Sequence, residues 1–291
     1  MALPSADTVV DYPRGAVESD GTVVHVADGP GDLVAVLLDR TAFHPVDAHW
    51  PDQPADRGVL EVAVPGGPAL PVIDAVVAAT DGETLFLGGD VPVRTGTEGW
   101  VFSVAHLVPA GTVIAEGDRV RVIVDADHRA ALSIGHTACH LASLALDRAL
   151  SDAWGKPVPG DALGAPGFDA QAIETSTILE RGSRDVYRIG KSLRRKGFDP
   201  AAFDDPVAVA GRVNAILGEW TASGASVRVD ASEPGLSARR SWVCDLPEGE
   251  ARIPCGGTHA TGLADLGTVS VSFETEDVPG ARRVVMTTTA G

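Results

Sequence analysis

The chain lacks any apolar run close to the roughly 20 residues that a membrane-crossing helix needs. Its N-terminal residues 1–7 carry neither the basic region nor the apolar core of a secretory leader. No membrane partner is therefore expected, and a cytoplasmic location is. Cysteine is scarce: Cys139, Cys244 and Cys255 are the only three and cannot all pair. That fits a reducing compartment in which a thiol is available as a metal ligand. Cys139 and Cys244 read as small buried apolar residues. Positive charge is also short, 23 Lys and Arg against 40 Asp and Glu, for a net charge of -17. An acidic surface repels phosphate over a Debye length, roughly 8 to 10 Å in physiological salt. This excludes broad non-specific nucleic-acid binding, and no DNA partner is expected. Neither an internal repeat nor a coiled-coil heptad pattern is present.

What is there begins with length: 291 residues suffice for two domains with a core each. Up to about residue 127 the chain is rich in Val, Gly and Pro. Residues 31–39, 84–88 and 119–125 read as strands, and Gly117-Asp118 is a tight-turn signal before the last of them. A β-barrel or compact β-domain over residues 1–128 follows, with a second domain over 129–291. Residues 154–170, a stretch of Gly, Pro, Ala and Asp, read as a loop. Val209, Val213, Ile216, Leu217 and Trp220 recur at helical spacing. Residues 226–229, 241–244, 269–273 and 282–286 read as strands, so the second half mixes α and β. It also holds the chain's basic patch, Arg181, Arg184, Arg188, Lys191, Arg194, Arg195 and Lys196, opposed only by Asp185. Such a run either faces water or contacts phosphate.

The strongest chemical signal is Gly135-His136-Thr137-Ala138-Cys139-His140-Leu141. Two imidazoles four residues apart on a helix project from one face, one turn apart, which is metal-ligand geometry. Leu141, Leu144, Ala145 and Leu150 supply an apolar stripe to seat them. Downstream, Cys255-Gly256-Gly257-Thr258-His259 offers a thiolate and a third imidazole on a short glycine-bent loop. A paired histidine on a helix is common by chance, and the second cluster is what points to zinc, held by His136, His140 and Cys255 with His259 bound or nearby. Between the histidines stands Thr137-Ala138-Cys139, with no glutamate, so metalloprotease chemistry with a helix-borne base is not expected.

These motifs carry a family resemblance. His136-Thr137-Ala138-Cys139-His140-Leu141 is similar to the HTATHLL of AlaX-type trans-editing proteins, the free-standing relatives of the alanyl-tRNA synthetase editing domain. Cys255-Gly256-Gly257-Thr258-His259 matches their CGGTH at all five positions. Asp39-Arg40-Thr41-Ala42-Phe43-His44-Pro45, continuing to Gln53-Pro54-Ala55-Asp56-Arg57-Gly58, resembles the signature DRTxFYPxGGGQPxDxG. Nearly the whole chain is covered. Two departures stand out: His44 replaces the tyrosine, and Val46-Asp47-Ala48-His49-Trp50-Pro51-Asp52 replaces the triple glycine.

The resemblance implies an α+β fold, an N-terminal β-barrel-like domain followed by a mixed α/β aminoacyl-tRNA editing domain. It also implies one Zn2+ per chain and hydrolysis of the ester joining a wrong amino acid to a tRNA. Gln53 would then hydrogen-bond substrate or water, Thr41 and His44 would border the amino acid, and His259 would be the ligand that loosens. Arg188, Lys191, Arg194, Arg195 and Lys196 are the tRNA-phosphate candidates, the acceptor end being the part that is read. Serine or alanine is the default amino acid, and the altered loop before Gln53 keeps a threonine analogue open, as in the family's fluorothreonyl-tRNA deacylase. Two other readings of the residues stand beside this one: a non-catalytic, zinc-stapled RNA-binding module, and a zinc hydrolase of small esters or amides. The number of copies in the assembly is left open.

Overall fold

The computed structural model describes residues 2–47, 49–64 and 66–291. By its contacts the chain divides into two compact units. The first comprises Met1–Arg129, Ala231–Arg240 and Gly256–Thr258; the second Ala130–Asp230, Ser241–Cys255 and His259–Gly291. The overall class is α+β, dominated by sheet.

In the first unit the strands are β1 (Val9–Val10), β2 (Glu18–Asp28), β3 (Leu33–Leu38), β4 (Arg40–Thr41), β5 (Gly58–Val62), β6 (Ala69–Val72), β7 (Asp74–Thr80), β8 (Leu85–Leu87), β9 (Val101–Pro109) and β10 (Arg119–Val124). Eight of them form one antiparallel sheet in the order β6-β5-β10-β2-β3-β9-β7-β8, while β1 and β4 pair in parallel. Among the described residues the sheet is not a closed barrel, and the expected α+β class with a barrel-like first part fits loosely. It is barrel-like only in that the run from β6 through Ile73 to β7 pairs with β5 at one end and with β9 at the other. In β10 the alternation is visible residue by residue: Val120, Val122 and Val124 are buried while Arg119 and Arg121 face water. By contrast β3 is apolar on both faces, and β9 is buried on both with Ser103 and His106 among its apolar residues. Val36, Leu38, Phe102 and Val104 join one cluster and Ala35, Leu37, Ala105 and Leu107 a second on the other side, and β3 reads as a continuous hydrophobic run.

The second unit is built on α1 (Ala126–Ala149), whose first four residues belong to the first unit. Asp125 caps it, its carboxylate accepting the His128 N–H at 3.0 Å. The remaining elements are α2 (Asp169–Ala172), β11 (Ile173–Leu179), β12 (Gly182–Gly190), α3 (Lys191–Arg195), α4 (Pro206–Ala222), β13 (Val227–Ala231), β14 (Arg240–Leu246), β15 (Gly249–Pro254), β16 (Val269–Val278) and β17 (Ala281–Ala290). They make an antiparallel sheet β11-β12-β17-β16 and a three-stranded sheet β13-β14-β15. Helix α4 starts with Pro206 and is capped by Asp205, which accepts from the Ala208 N–H. Its buried Val209, Val213, Leu217 and Trp220 join Ala138, Leu141, Leu144 and Ala145 of α1 in one core. A glycine decides how closely α1 lies on the hairpin of β11 and β12, since a Cβ at Gly135 would run into the carbonyl oxygens of Leu179 and Gly182.

Candidate metal centre

The histidines of α1 and the residues after β15 meet in the second unit. One donor atom each from His136, His140, Cys255 and His259 lies within 4.8 Å of every other. The Cys255 Sγ is 3.4 Å from His136 Nε2 and 3.3 Å from His259 Nε2. Zinc with bonds of about 2.0 Å to nitrogen and 2.3 Å to sulfur places tetrahedral ligand atoms roughly 3.3 to 3.6 Å apart, so these separations are those of a coordination shell. The donor set, three imidazoles and a thiolate, is one that zinc takes. His140 gives an independent sign: its Nε2 is buried and has no hydrogen-bond partner in the protein. Buried polar atoms are nearly always satisfied, and a cation is a natural partner for this one. Burial also pushes the His140 pKa down to about 4, leaving the neutral imidazole that a metal requires. Trp242, fully buried, walls this side with its ring centroid 5.1 Å from that of His140.

Neighbouring residues hold these donor groups in place. Thr137 Oγ1 accepts the Ala260 N–H at 3.0 Å and lies 3.3 Å from His259 Nδ1. With Nδ1–H donating to Thr137, Nε2, the atom beside the thiol, keeps the lone pair that a metal would take. Cys139 was expected as a plain apolar filler. Its Sγ is instead 3.5 Å from Asp185 Oδ1, a carboxylate that also accepts from Ser176 at 2.6 Å and Ser183 at 2.7 Å. Burial pushes the Cys139 thiol well above its ordinary range, so it stays protonated, and Cys244 is pushed up to about 12 by the same cause.

The residues expected on the substrate side, Gln53, His44 and Thr41, lie in the first unit. Gln53 spends both ends of its amide on Thr258: Oε1 accepts the Thr258 N–H at 3.0 Å and Nε2 donates to Thr258 Oγ1 at 2.9 Å. His44 is buried against Tyr12 with ring centroids 5.0 Å apart. Its Nδ1 is 3.5 Å from Gln53 Nε2, and burial lowers its pKa to about 4. Thr41 is also fully buried. The Val36 carbonyl can only accept, so His106 Nδ1 donates to it at 3.0 Å and Nε2 is left as the acceptor for the Thr41 hydroxyl at 2.9 Å. Asp56 and Arg129 form a buried two-point ion pair. Asp56 also accepts the His44 N–H at 2.5 Å, and Arg129 donates to the main-chain oxygens of Ala42 at 2.8 Å and Ala16 at 3.1 Å. In the loop that replaces the triple glycine, Asp47 accepts the His49 and Trp50 N–H groups and Trp50 is half exposed; Ala48 lies outside the described residues. Burial raises the Asp52 carboxyl to about 6.

Lys191, Arg194, Arg195 and Lys196 are exposed on and just after α3, and Arg188 is exposed on β12, 3.9 Å from Glu174. Arg194 and Arg188 also reach the Gly280 and Pro279 carbonyls. Residues 154–170, expected as loop, hold a bend around Asp161, which accepts from the Leu163 and Ala165 N–H groups. Sequence reasoning passed over Thr137, Thr258, His106 and Arg129. The two threonines stand inside the metal motifs, a signal that was there to be used, whereas nothing local marks His106 or Arg129.

No protein-family model matches the sequence. Curated relatives do. The chain is similar to alanine–tRNA ligases. It is 29% identical over 290 residues to the ligase of Kineococcus radiotolerans, covering 97% of this chain and 28% of that one. The ligases of Nocardioides sp. (28% over 273 residues) and Frankia alni (29% over 297 residues) match 93% and 98% of this chain. The chain thus spans about a quarter of the length of the curated relatives it matches. Among the described residues no helix is long and apolar enough to cross a membrane.

Proposed function

We propose that the chain is a zinc-dependent aminoacyl-tRNA deacylase that hydrolyses the ester of a mischarged tRNA. The observation that carries this reading is the convergence of His136, His140, Cys255 and His259, with the buried Nε2 of His140 left without a protein partner. Similarity to alanine–tRNA ligases over nearly all of this chain but a quarter of theirs supports a module that corrects charging rather than one that performs it.

These four residues would hold the ion, which when bound supplies a Lewis acid for the ester carbonyl. Four permanent protein ligands describe a closed, structural site, so one must yield for chemistry. We assign that part to His259, on the glycine loop, whose Nε2 would take a proton from the attacking water and give it to the departing ribose oxygen while Thr137 holds Nδ1. Thr41, on His106, and His44, beside Gln53, border the amino acid in this reading. The substrate is a small or hydroxylated amino acid such as serine, and the Val46 to Asp52 replacement keeps a threonine analogue, fluorothreonine included, in the panel. Arg188, Lys191, Arg194, Arg195 and Lys196 contact tRNA phosphates, which an otherwise acidic chain needs.

Turnover of seryl-, alanyl- and threonyl-tRNA by wild type and by Cys255→Ala tests the reading. Loss of turnover in the variant supports it. A zinc-loaded, folded wild type that binds tRNA and hydrolyses none of the panel would instead favour a zinc-stapled RNA-binding module, the reading that four fixed ligands would suit.

A further inference from the structure

The loop that carries Cys255 and His259 is tied at its far end, where the Ala260 N–H reaches Thr137 Oγ1, but its two glycines add no conformational lock. Neither Gly256 nor Gly257 takes a positive φ, so no left-handed turn locks the chain, and a Cβ at Gly256 would meet nothing within 4 Å. Two successive glycines carry the largest backbone entropy to lose. The fixed point in the first unit is Thr258, buried and gripped at both its N–H and its hydroxyl by the amide of Gln53, 205 residues earlier in the chain. The amide's orientation is unambiguous, because the Thr258 N–H can only donate and must meet Oε1. Gln53 is itself anchored, its N–H accepted by Asp52 Oδ1 at 2.8 Å.

We infer that Gln53 is a positioning residue, which sets the ligand loop for metal by clamping Thr258, and not a group that touches substrate. The assignment rests on the metal reading proposed above. Thr258 directly precedes His259 and follows Cys255 by three residues, so fixing its main chain narrows the arc open to both ligands before metal arrives. The gain is preorganisation: ordering that zinc would otherwise have to impose on two glycines is present in the fold.

Zinc affinity, measured by competition with a chromogenic chelator, tests this without recourse to turnover. Gln53→Ala and Thr258→Val each remove one side of the clamp and should weaken zinc about 10- to 100-fold, the usual range for outer-shell losses. The double variant should bind about as the weaker single does, because both changes break one interaction. Thr258→Ser keeps the N–H and the hydroxyl and loses only a methyl, so it should bind as wild type. Single variants that hold zinc like wild type, losses that multiply in the double variant, or a Thr258→Ser as weak as Thr258→Val would each overturn the inference. A wild type that takes up no zinc would sink the metal reading and the clamp with it. A zinc-binding wild type with unaffected variants would sink the clamp alone.

Discussion

Replacing Arg129 with methionine removes a cation from one of the most fully buried ion pairs of the first unit. The side chains of Arg129 and Asp56 are 5% and 0% exposed. The guanidinium makes two bonds to Asp56, one of them very short, and two more to the Ala42 and Ala16 carbonyls. Methionine fills similar volume, so the loss is electrostatic rather than a cavity. Leaving a buried carboxylate without its partner costs about 3 to 5 kcal/mol. Each stranded carbonyl adds up to about 1 to 3 kcal/mol unless water reaches it. A destabilisation of about 4 kcal/mol or more is expected, read as the shift in urea midpoint at unchanged slope. A second variant separates charge from packing: Asp56→Leu with Arg129→Met should recover part of the loss, because no lone charge then remains buried. A loss below about 1 kcal/mol for Arg129→Met would refute the reasoning, for it would mean that water solvates Asp56 as well as the guanidinium does.

Other expectations follow from single contacts. Gly135→Ala should destabilise by about 1 to 3 kcal/mol in chemical unfolding, because its methyl meets two main-chain carbonyls that cannot move aside. Thr137→Val should weaken zinc about 10-fold or more in chelator competition by freeing His259 Nδ1. Asp147 is raised to about 8 by burial, with Asp169 and Asp161 as further causes. Its stabilising contribution is therefore complete below its unfolded value near 4 and is lost as pH rises through about 8, where the folded state must release a proton it holds more tightly than the unfolded chain. Asp147→Asn should flatten the fall in stability between pH 5 and 8; an unchanged slope would show that this carboxyl is ionised in the fold. Neutralising Lys191, Arg194, Arg195 and Lys196 together should weaken tRNA binding and reduce its salt dependence, whereas a substitution of Arg121 on β10 should leave both unchanged.

Local features were the ones legible in the sequence. The alternation in residues 119–125 gave β10, and the spacing of Val209, Val213, Leu217 and Trp220 gave the buried face of α4. The His136, His140, Cys255 and His259 group, which could hold a metal ion, was legible because spacing within a helix and within a short loop is itself geometry. What was not legible is long-range pairing. Gln53 and Thr258 are 205 positions apart, and a hydrogen bond across that distance leaves no period to find. Residues Ala231–Arg240 pack with the first unit although they follow α4 by only a few positions, which no composition shift announces. β2 was passed over because its buried positions are Gly21, Val23 and His25, so its alternation is not one of apolar against polar residues. Cys139 was taken as apolar filler because a thiol's partners, here Asp185 and Ser176 from the hairpin, come from tertiary structure alone.

The most direct test of the central claim is the rate of amino-acid release from seryl-tRNA, with alanyl- and threonyl-tRNA alongside, by protein as purified, after chelation, and after zinc is restored. The account predicts hydrolysis of at least one of these esters that is abolished by chelation and recovered with zinc. Hydrolysis that continues unchanged in protein shown to be free of metal would contradict it.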